Sequence, residues 1–517
     1  MNDFKLKNIQ IGFADGAKEA EKDNFFDFFY TENNKYNELL QKYKFIISGR
    51  KGTGKTILAK YYQKKNTNPL TIIDYKKLND LTLHYYIEMY SAKIDKDISK
   101  FFQEYYIYKQ FVVTIIKNKR NREDFIKKAH NFKEKIKYFR AYYKYKSIYN
   151  DIENLYNQLY PDGAYKEKEI KEIQKYIECT GIGSESVITA SINGTSEATQ
   201  EIVKVRKNFT ENIQKFKELV CSCLNYISVS IIIDDLDEIE MKDDADSLIE
   251  FLISLVTVVN EINMELDKYD TNSKCILLIR SDILSSFNSR NSNINKIITD
   301  CNVRLEWFKH SDELKKMILY KIKNSDKSGC LKNYDLDSIK QLLFSTSQDK
   351  TNNTFEKIMK YSFGRPRDII SFIDCIIRDN PNENQITFKA FNESEAEYSQ
   401  TLFSEIQNEM SLHLSNDKIH DIEYLLRSFR KKVFSYDEII EYYNTHKDQF
   451  PSINDIEETL QYLYQIGLIG NTEKKKNIRG RKNQYIYSFS YRNGGELLNK
   501  ELSLVIHAGI CKALNIV

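Results

Sequence analysis

The sequence predicts an α/β protein: a parallel sheet with helices on both faces, interrupted by a helical insertion and followed by a helical lid domain and a winged-helix domain. Three observations predict it. Short apolar runs at residues 43–48, 70–74, 227–233 and 275–279 read as buried strands, and stretches of helical periodicity lie between them. Two of these runs end in chemistry, a glycine-rich turn at 49–56 and a cluster of acids from Asp234 onward. The chain also holds only 5 prolines and 17 glycines in 517 residues, too few breakers for a loop-rich all-β fold.

The elements follow in order. Residues 1–40 form a lead-in whose Phe25, Phe26, Phe28, Phe29, Tyr36, Leu39 and Leu40 make a helical apolar face. The sheet core occupies 41–80 and resumes over 205–310. Thr56 and Asp234 are 178 positions apart. Two βαβ units of about 30 residues each would bridge them, so the surplus marks 81–204 as an insertion. It is rich in Tyr and Lys, with helices expected over 101–118 and 122–149 and a β-like piece at 184–193. The helical domain spans 311–400, with Ser311 placed as an N-cap and Asp312 and Glu313 in its first turn. The tail, 415–517, reads as three helices, strand, loop, strand and helix, an order that suits a winged helix.

Composition excludes several classes. Hydrophobic residues make up 41% and charged residues 29%, the balance of a soluble globular protein. A net charge of +3, from 77 basic and 74 acidic residues, confines any nucleic-acid role to a local patch. The eight cysteines include no CxxC pair and no accompanying histidine cluster, which argues against zinc and for reduced thiols in a cytoplasmic protein. No signal peptide is visible, and no apolar run approaches the roughly 20 residues of a membrane helix.

Gly49-Arg50-Lys51-Gly52-Thr53-Gly54-Lys55-Thr56 matches G-x-x-x-x-G-K-[ST], the P-loop pattern. The glycines let successive backbone N–H groups aim at one point, and the following helix adds its N-terminal dipole. Lys55 places a cation near the β- and γ-phosphates, and Thr56 offers a hydroxyl to Mg2+. The run Ile231-Ile232-Ile233 ends in Asp234-Asp235-Leu236-Asp237. Ligands of open α/β sheets bind beyond the carboxyl ends of strands, so Asp234 is placed to hold the metal and Asp235 to polarise an attacking water. Asp237 supports the cluster or solvates the strand end. Arg280, ending the run 275–279, reads a γ-phosphate or pairs with Asp282. Arg367, in Gly364-Arg365-Pro366-Arg367, points back toward nucleotide or simply opens a helix.

This combination resembles the AAA+/STAND superfamily of P-loop ATPases. Within it, the chain looks like a bacterial family ending in a winged helix, on the strength of residues 47–56, 279–284, 364–369 and 505–509. The resemblance implies that Lys55, Thr56 and Asp234 bind Mg-ATP, that Asp235 is catalytic, that Arg280 is a sensor and that Pro366 packs near the adenine. It further implies a homo-oligomer with an arginine acting in trans, for which Arg290 and Arg304 are candidates, and a switch working with a separately encoded effector in anti-phage defence. Two departures stand out: no sensing repeat array is present, and the insertion has no counterpart in a minimal core.

A different role is also open. Lys474, Lys475, Lys476, Arg479, Arg481 and Lys482 crowd a loop between expected wing strands and offer contacts to duplex DNA. The acids Asp455, Glu457 and Glu458 on the preceding helix oppose that reading. In the insertion, Lys117, Lys119, Arg120 and Arg122 form a solvated cluster or an interaction arm. His507 is a core histidine or a phosphate contact.

Overall fold

The computed structural model describes residues 4–13, 15–77, 96–160, 196–236, 245–287, 292–308, 311–347, 353–411, 413–475, 484–491 and 497–516. They form two compact units, one of Asn34–Arg50 and Lys55–Leu305, the other of Met1–Asn33, Lys51–Gly54 and Glu306–Val517.

The first unit is built on five parallel strands, β1 (Ile46–Gly49), β2 (Thr71–Lys77), β3 (Ser228–Asp234), β4 (Lys274–Arg280) and β5 (Asn302–Arg304), in the order β2-β3-β4-β1-β5. β3 and β4 are buried along nearly their whole length, which is why they read as unbroken apolar runs rather than alternating ones. β5 was not expected from the sequence, because three residues carry too little pattern. Hydrogen bonds at its ends, Phe45 N to Cys301 O and Leu305 N to Ser48 O, lock it beside β1. β2 runs on to Lys77, past the Asp74 at which the apolar run ends. Gly49 lies level with Arg280 and Lys77 with Asp234, so the loop, Arg280 and the acids leave the sheet at one edge.

Helices α1 (Lys35–Leu40), α2 (Lys55–Lys65), α3 (Lys96–Lys117), α4 (Arg122–Ile126), α5 (Phe132–Leu159), α6 (Ser196–Leu224), α7 (Ala245–Leu266), α8 (Ser281–Phe287) and α9 (Ser292–Cys301) belong to the same unit. The described part of the insertion is a layer of the sheet's own core. Phe102, Tyr106, Phe111 and Val112 of α3 are buried in one cluster with Ile231, Ile233 and Leu255. Gln103 stitches α3 to α7 by donating to Phe251 O and accepting from Ser254 Oγ at 2.9 Å. The single helix expected over 122–149 is two, because Asn131 accepts from Glu134 N at 2.9 Å and starts a new helix there. The β-like piece at 184–193 lies outside the described residues.

One expectation about membranes is corrected. Asp246–Leu266 is long and apolar enough to cross a bilayer, with a mean hydropathy of 1.4. Its apolar face, with Phe251, Leu252, Leu255, Val256, Val259 and Ile262, is buried in the core, so packing accounts for the composition.

The second unit stacks α10 (Ser311–Ser325), α11 (Leu336–Leu343), α12 (Thr354–Tyr361), α13 (Pro366–Asp379) and α14 (Phe388–Met410) with α15 (Asn416–Phe429), α16 (Tyr436–Thr445) and α17 (Ile456–Ile466). Part of the lead-in joins it: Phe4, Leu6, Ile9, Ile11 and Tyr30 are buried among Leu314, Ile318 and Ile322. A four-stranded antiparallel sheet closes the unit, β6 (Val433–Phe434), β7 (Ile469–Lys475), β8 (Gln484–Ser488) and β9 (Ser503–Ile506), ordered β6-β9-β7-β8. The final helix expected in the tail is instead β9 and a 3-10 turn, Ala508–Ile510. Leu504, Val505 and Ile506 suit a strand, and Gly509 passes so close to Tyr361 O that a side chain there would collide with it.

Lys274, the first residue of β4, fixes the approach to β1. Its buried ammonium donates to Leu39 O, to Gln41 O at 3.0 Å and to Lys44 O at 2.9 Å. Burial pushes that amine down to about 7. Lys274→Met leaves these carbonyls without their donor, so urea unfolding is expected to show a loss of about 2–4 kcal/mol. A wild-type midpoint would show that water replaces the clamp.

Candidate functional site

At the carboxyl edge of the sheet, Asp234 is buried with 4% of its surface exposed. A buried carboxylate needs donors, and among the described residues it has three. Thr56 Oγ1 donates to Oδ2 at 2.7 Å, the Tyr75 hydroxyl donates to the same oxygen, and Asp235 N donates to Oδ1 at 2.8 Å. Tyr75 and Asp234 share a face because Tyr75 pairs with Ile232, two residues before the acid. Burial, then the charge of Asp234, raises the Tyr75 phenol far above its ordinary range, so it stays protonated and donates. Lys60 Nζ lies 3.5 Å from the centre of the Tyr75 ring.

Asp235 adopts φ +61°, a left-handed conformation unusual for a residue with a side chain. That turn takes the chain out of β3 immediately after Asp234. Lys77 Nζ is 3.1 Å from Asp235 Oδ2. Arg280 is buried, and its guanidinium grips Asp282 with two bonds of 3.1 and 2.6 Å.

α2 begins at Lys55, so Lys55 and Thr56 occupy its first turn. Lys55 Nζ donates to Gly49 O at 3.0 Å and Arg50 O at 3.4 Å.

The tip of the glycine-rich loop, Lys51–Gly54, groups with the second unit. Gly52 and Gly54 have φ of +83° and +97°. Gly52 O accepts from Arg367 N at 3.3 Å, and Thr53 O accepts from Trp307 Nε1 at 2.8 Å. Lys51 and Arg367 both meet Glu405, at 3.7 and 3.2 Å. Pro366 is the buried first residue of α13 and Arg367 the second, as its opening role requires. Arg365 anchors this turn from below through a buried pair with Asp368 at 2.9 Å and another with Glu409.

His507 is fully buried in the second unit. Its Nδ1 accepts from Gly509 N at 3.2 Å, leaving Nε2–H to meet the Tyr491 hydroxyl at 3.0 Å. Its ring stacks on Phe363 at 4.1 Å. This is a satisfied core histidine, not a phosphate contact.

The structure thus gathers Thr56, Asp234 and Asp235, and sets Lys55 and Arg280 at the same sheet edge. Lys119 and Arg122 lie over the rings of Tyr149 and Phe139, and Arg120 donates to Thr71 O at 2.8 Å, so this basic cluster is engaged within its own unit. Arg304 is exposed at the end of β5. Lys474 is exposed on β7, and Lys475 ends that strand opposite Gln484. Asp237, Arg290, Lys476, Arg479, Arg481 and Lys482 lie outside the described residues. Tyr75, Lys77 and Trp307 were missed. The signal for the first two was strand parity: once β2 extends past Asp74, residues 75 and 77 face the level of Asp234.

The oxygen donors Thr56 and Asp234 fit a hard divalent cation such as Mg2+, which takes few protein ligands and completes its shell with water and phosphate. Among the described residues no group of three or more His, Cys, Asp or Glu is gathered to hold a metal alone.

Residues 312–407, from α10 through most of α14, match the family described as the FunZ-associated C-terminal helical domain. No curated protein and no solved structure matches the chain.

The two loop glycines are expected to differ on substitution. A Cβ at Gly52 would lie 3.0 Å from Arg367 Cβ, whereas one at Gly54 meets nothing within 4 Å. Gly54→Ala carries only backbone strain, about 1 kcal/mol, and Gly52→Ala about 2–3 kcal/mol. Thermal unfolding of the two variants side by side checks the order, and equal midpoints would contradict it.

Proposed function

We propose that this protein binds Mg-ATP at Gly49–Thr56 and Asp234 and hydrolyses it, as a molecular switch. The observation that carries the reading is the Thr56–Asp234 bond. A hydroxyl following a glycine-rich loop and an acid ending a strand, 178 positions apart, meet at the edge where α/β sheets bind ligands. The resemblance to AAA+/STAND ATPases supports the same reading.

Each residue then has a task. Loop N–H groups and the start of α2 cradle the phosphates. Lys55 exchanges the Gly49 and Arg50 carbonyls for phosphate oxygens. Mg2+, when bound, neutralises charge developing on those oxygens. Asp235, turned sharply out of β3, orients and polarises the attacking water. Arg280 is held ready by Asp282 for a γ-phosphate. Assembly into a homo-oligomer and coupling to a separate effector in anti-phage defence belong to this proposal through the resemblance.

The test is binding of a fluorescent ATP analogue together with steady-state turnover. Lys55→Ala is expected to weaken binding at least tenfold. Asp235→Ala is expected to keep binding and to lose about 10²–10⁴-fold in turnover. Unimpaired binding by Lys55→Ala would sink the reading.

One observation favours a second reading, in which the carboxyl-terminal sheet contacts duplex DNA and nucleotide is regulatory. Tyr485 on the outer strand β8 pairs directly with Lys474 of β7, and both are exposed, joining an aromatic face to a cation. Asp455, Glu457 and Glu458 cluster at the start of α17, which disfavours that helix as the DNA-reading element. Turnover stimulated by duplex DNA, and lost as salt rises, would favour it.

A further inference from the structure

We infer that Tyr75 is a built-in competitor for the metal at Asp234, a residue that tunes how tightly Mg-nucleotide is held and speeds its release. The inference rests on the Mg-ATP reading above.

The argument is an account of lone pairs. A carboxylate oxygen offers two. On Asp234 Oδ2 one is taken by Thr56 and the other by Tyr75, while Oδ1 accepts from Asp235 N. The Thr56 bond is compatible with a metal: a hydroxyl can donate its proton to Asp234 and still present its own lone pairs to a cation. The Tyr75 bond is not. It fills the position on Oδ2 that a cation, or a water on that cation, needs. Among the described residues Oδ1 keeps one position open, but Oδ2 is the oxygen beside Thr56; a cation or its water that takes Oδ2 together with Thr56 therefore breaks the Tyr75 bond, and loss of the metal lets it reform.

The surroundings suit such an exchange. Among the described residues β2 is the outermost strand of its sheet, so Tyr75 has a neighbouring strand on one side. Its side chain is only partly buried, unlike that of Asp234, so a displaced hydroxyl can find water. Lys60 over the ring holds the phenol near the acid. Without metal the phenol compensates a buried charge that Thr56 and one backbone amide would otherwise carry alone.

Tyr75→Phe keeps the ring, its Lys60 contact and the packing, and removes only the hydroxyl. Two effects of opposite sense are expected. Without Mg2+ and nucleotide, in a chelator, the variant melts a few degrees lower. In equilibrium binding of a fluorescent ATP analogue titrated with Mg2+, its half-saturating Mg2+ concentration falls roughly 3- to 10-fold, and nucleotide dissociates more slowly in stopped flow. A residue that merely supports Asp234 would move both in one direction, toward lower melting and weaker Mg2+ dependence. Half-saturation unchanged or raised in Tyr75→Phe, with the wild type showing clear Mg2+-dependent binding, overturns the inference and leaves the functional reading intact. A wild type that binds no nucleotide, or an Asp234→Asn variant with unaltered Mg2+ dependence, overturns the functional reading and this inference with it.

Discussion

A buried carboxylate organises the chemically interesting end of the first unit. Asp234 lies at the end of an almost wholly buried strand, where an uncompensated charge is costly. Its compensation draws donors from three places: the helix after the glycine-rich loop, the second strand and its own backbone. Each must be positioned by the sheet. β1 and β3 flank β4, and the parallel register sets Gly49 beside Arg280 and Lys77 beside Asp234. One charge therefore depends on the registration of all four strands.

The long segment between loop and acid does not disturb this arrangement, because its described helices serve the sheet. α3 lies against β3 and α7, and its buried aromatics extend the core. Its Lys and Tyr richness reflects helices that bury rings while their charged ends reach water or lie over other rings, as Lys119 does on Tyr149. In the second unit the same logic acts on a smaller scale. The Arg365–Asp368–Glu409 cluster is buried and mutually paired, and it shapes the turn from which Arg367 N reaches Gly52 O. Removing one member would strand the others.

Much of the first unit was legible in the sequence, and the reason differs by element. β3, β4 and α7 announce themselves as long apolar runs because parallel strands and core helices are buried on more than one face. The loop was legible because its glycines need positive φ at Gly52 and Gly54. β5 was not, since three residues hold no period. The break at Asn131 was not, because helical periodicity outweighed a single capping residue. The last strand was read as a helix because Leu504–Ile506 is too short to separate the two periods.

Composition and local pattern, then, determined the α/β class, the glycine-rich loop and the acids that end β3, because each depends on residues adjacent in sequence. Only the tertiary structure decided what those residues touch. Arg280 lies between a phosphate role and Asp282 in the sequence, and the fold supplies its pairing with Asp282. His507 was open between core and ligand, and stacking on Phe363 sets it in the core. The apolar run stops at Asp74, and only once β2 runs on past that residue does parity place Tyr75 on the face of Asp234. Its meeting with Asp234 arises from pairing across 159 positions, and pairing between strands is a long-range choice that no local pattern encodes.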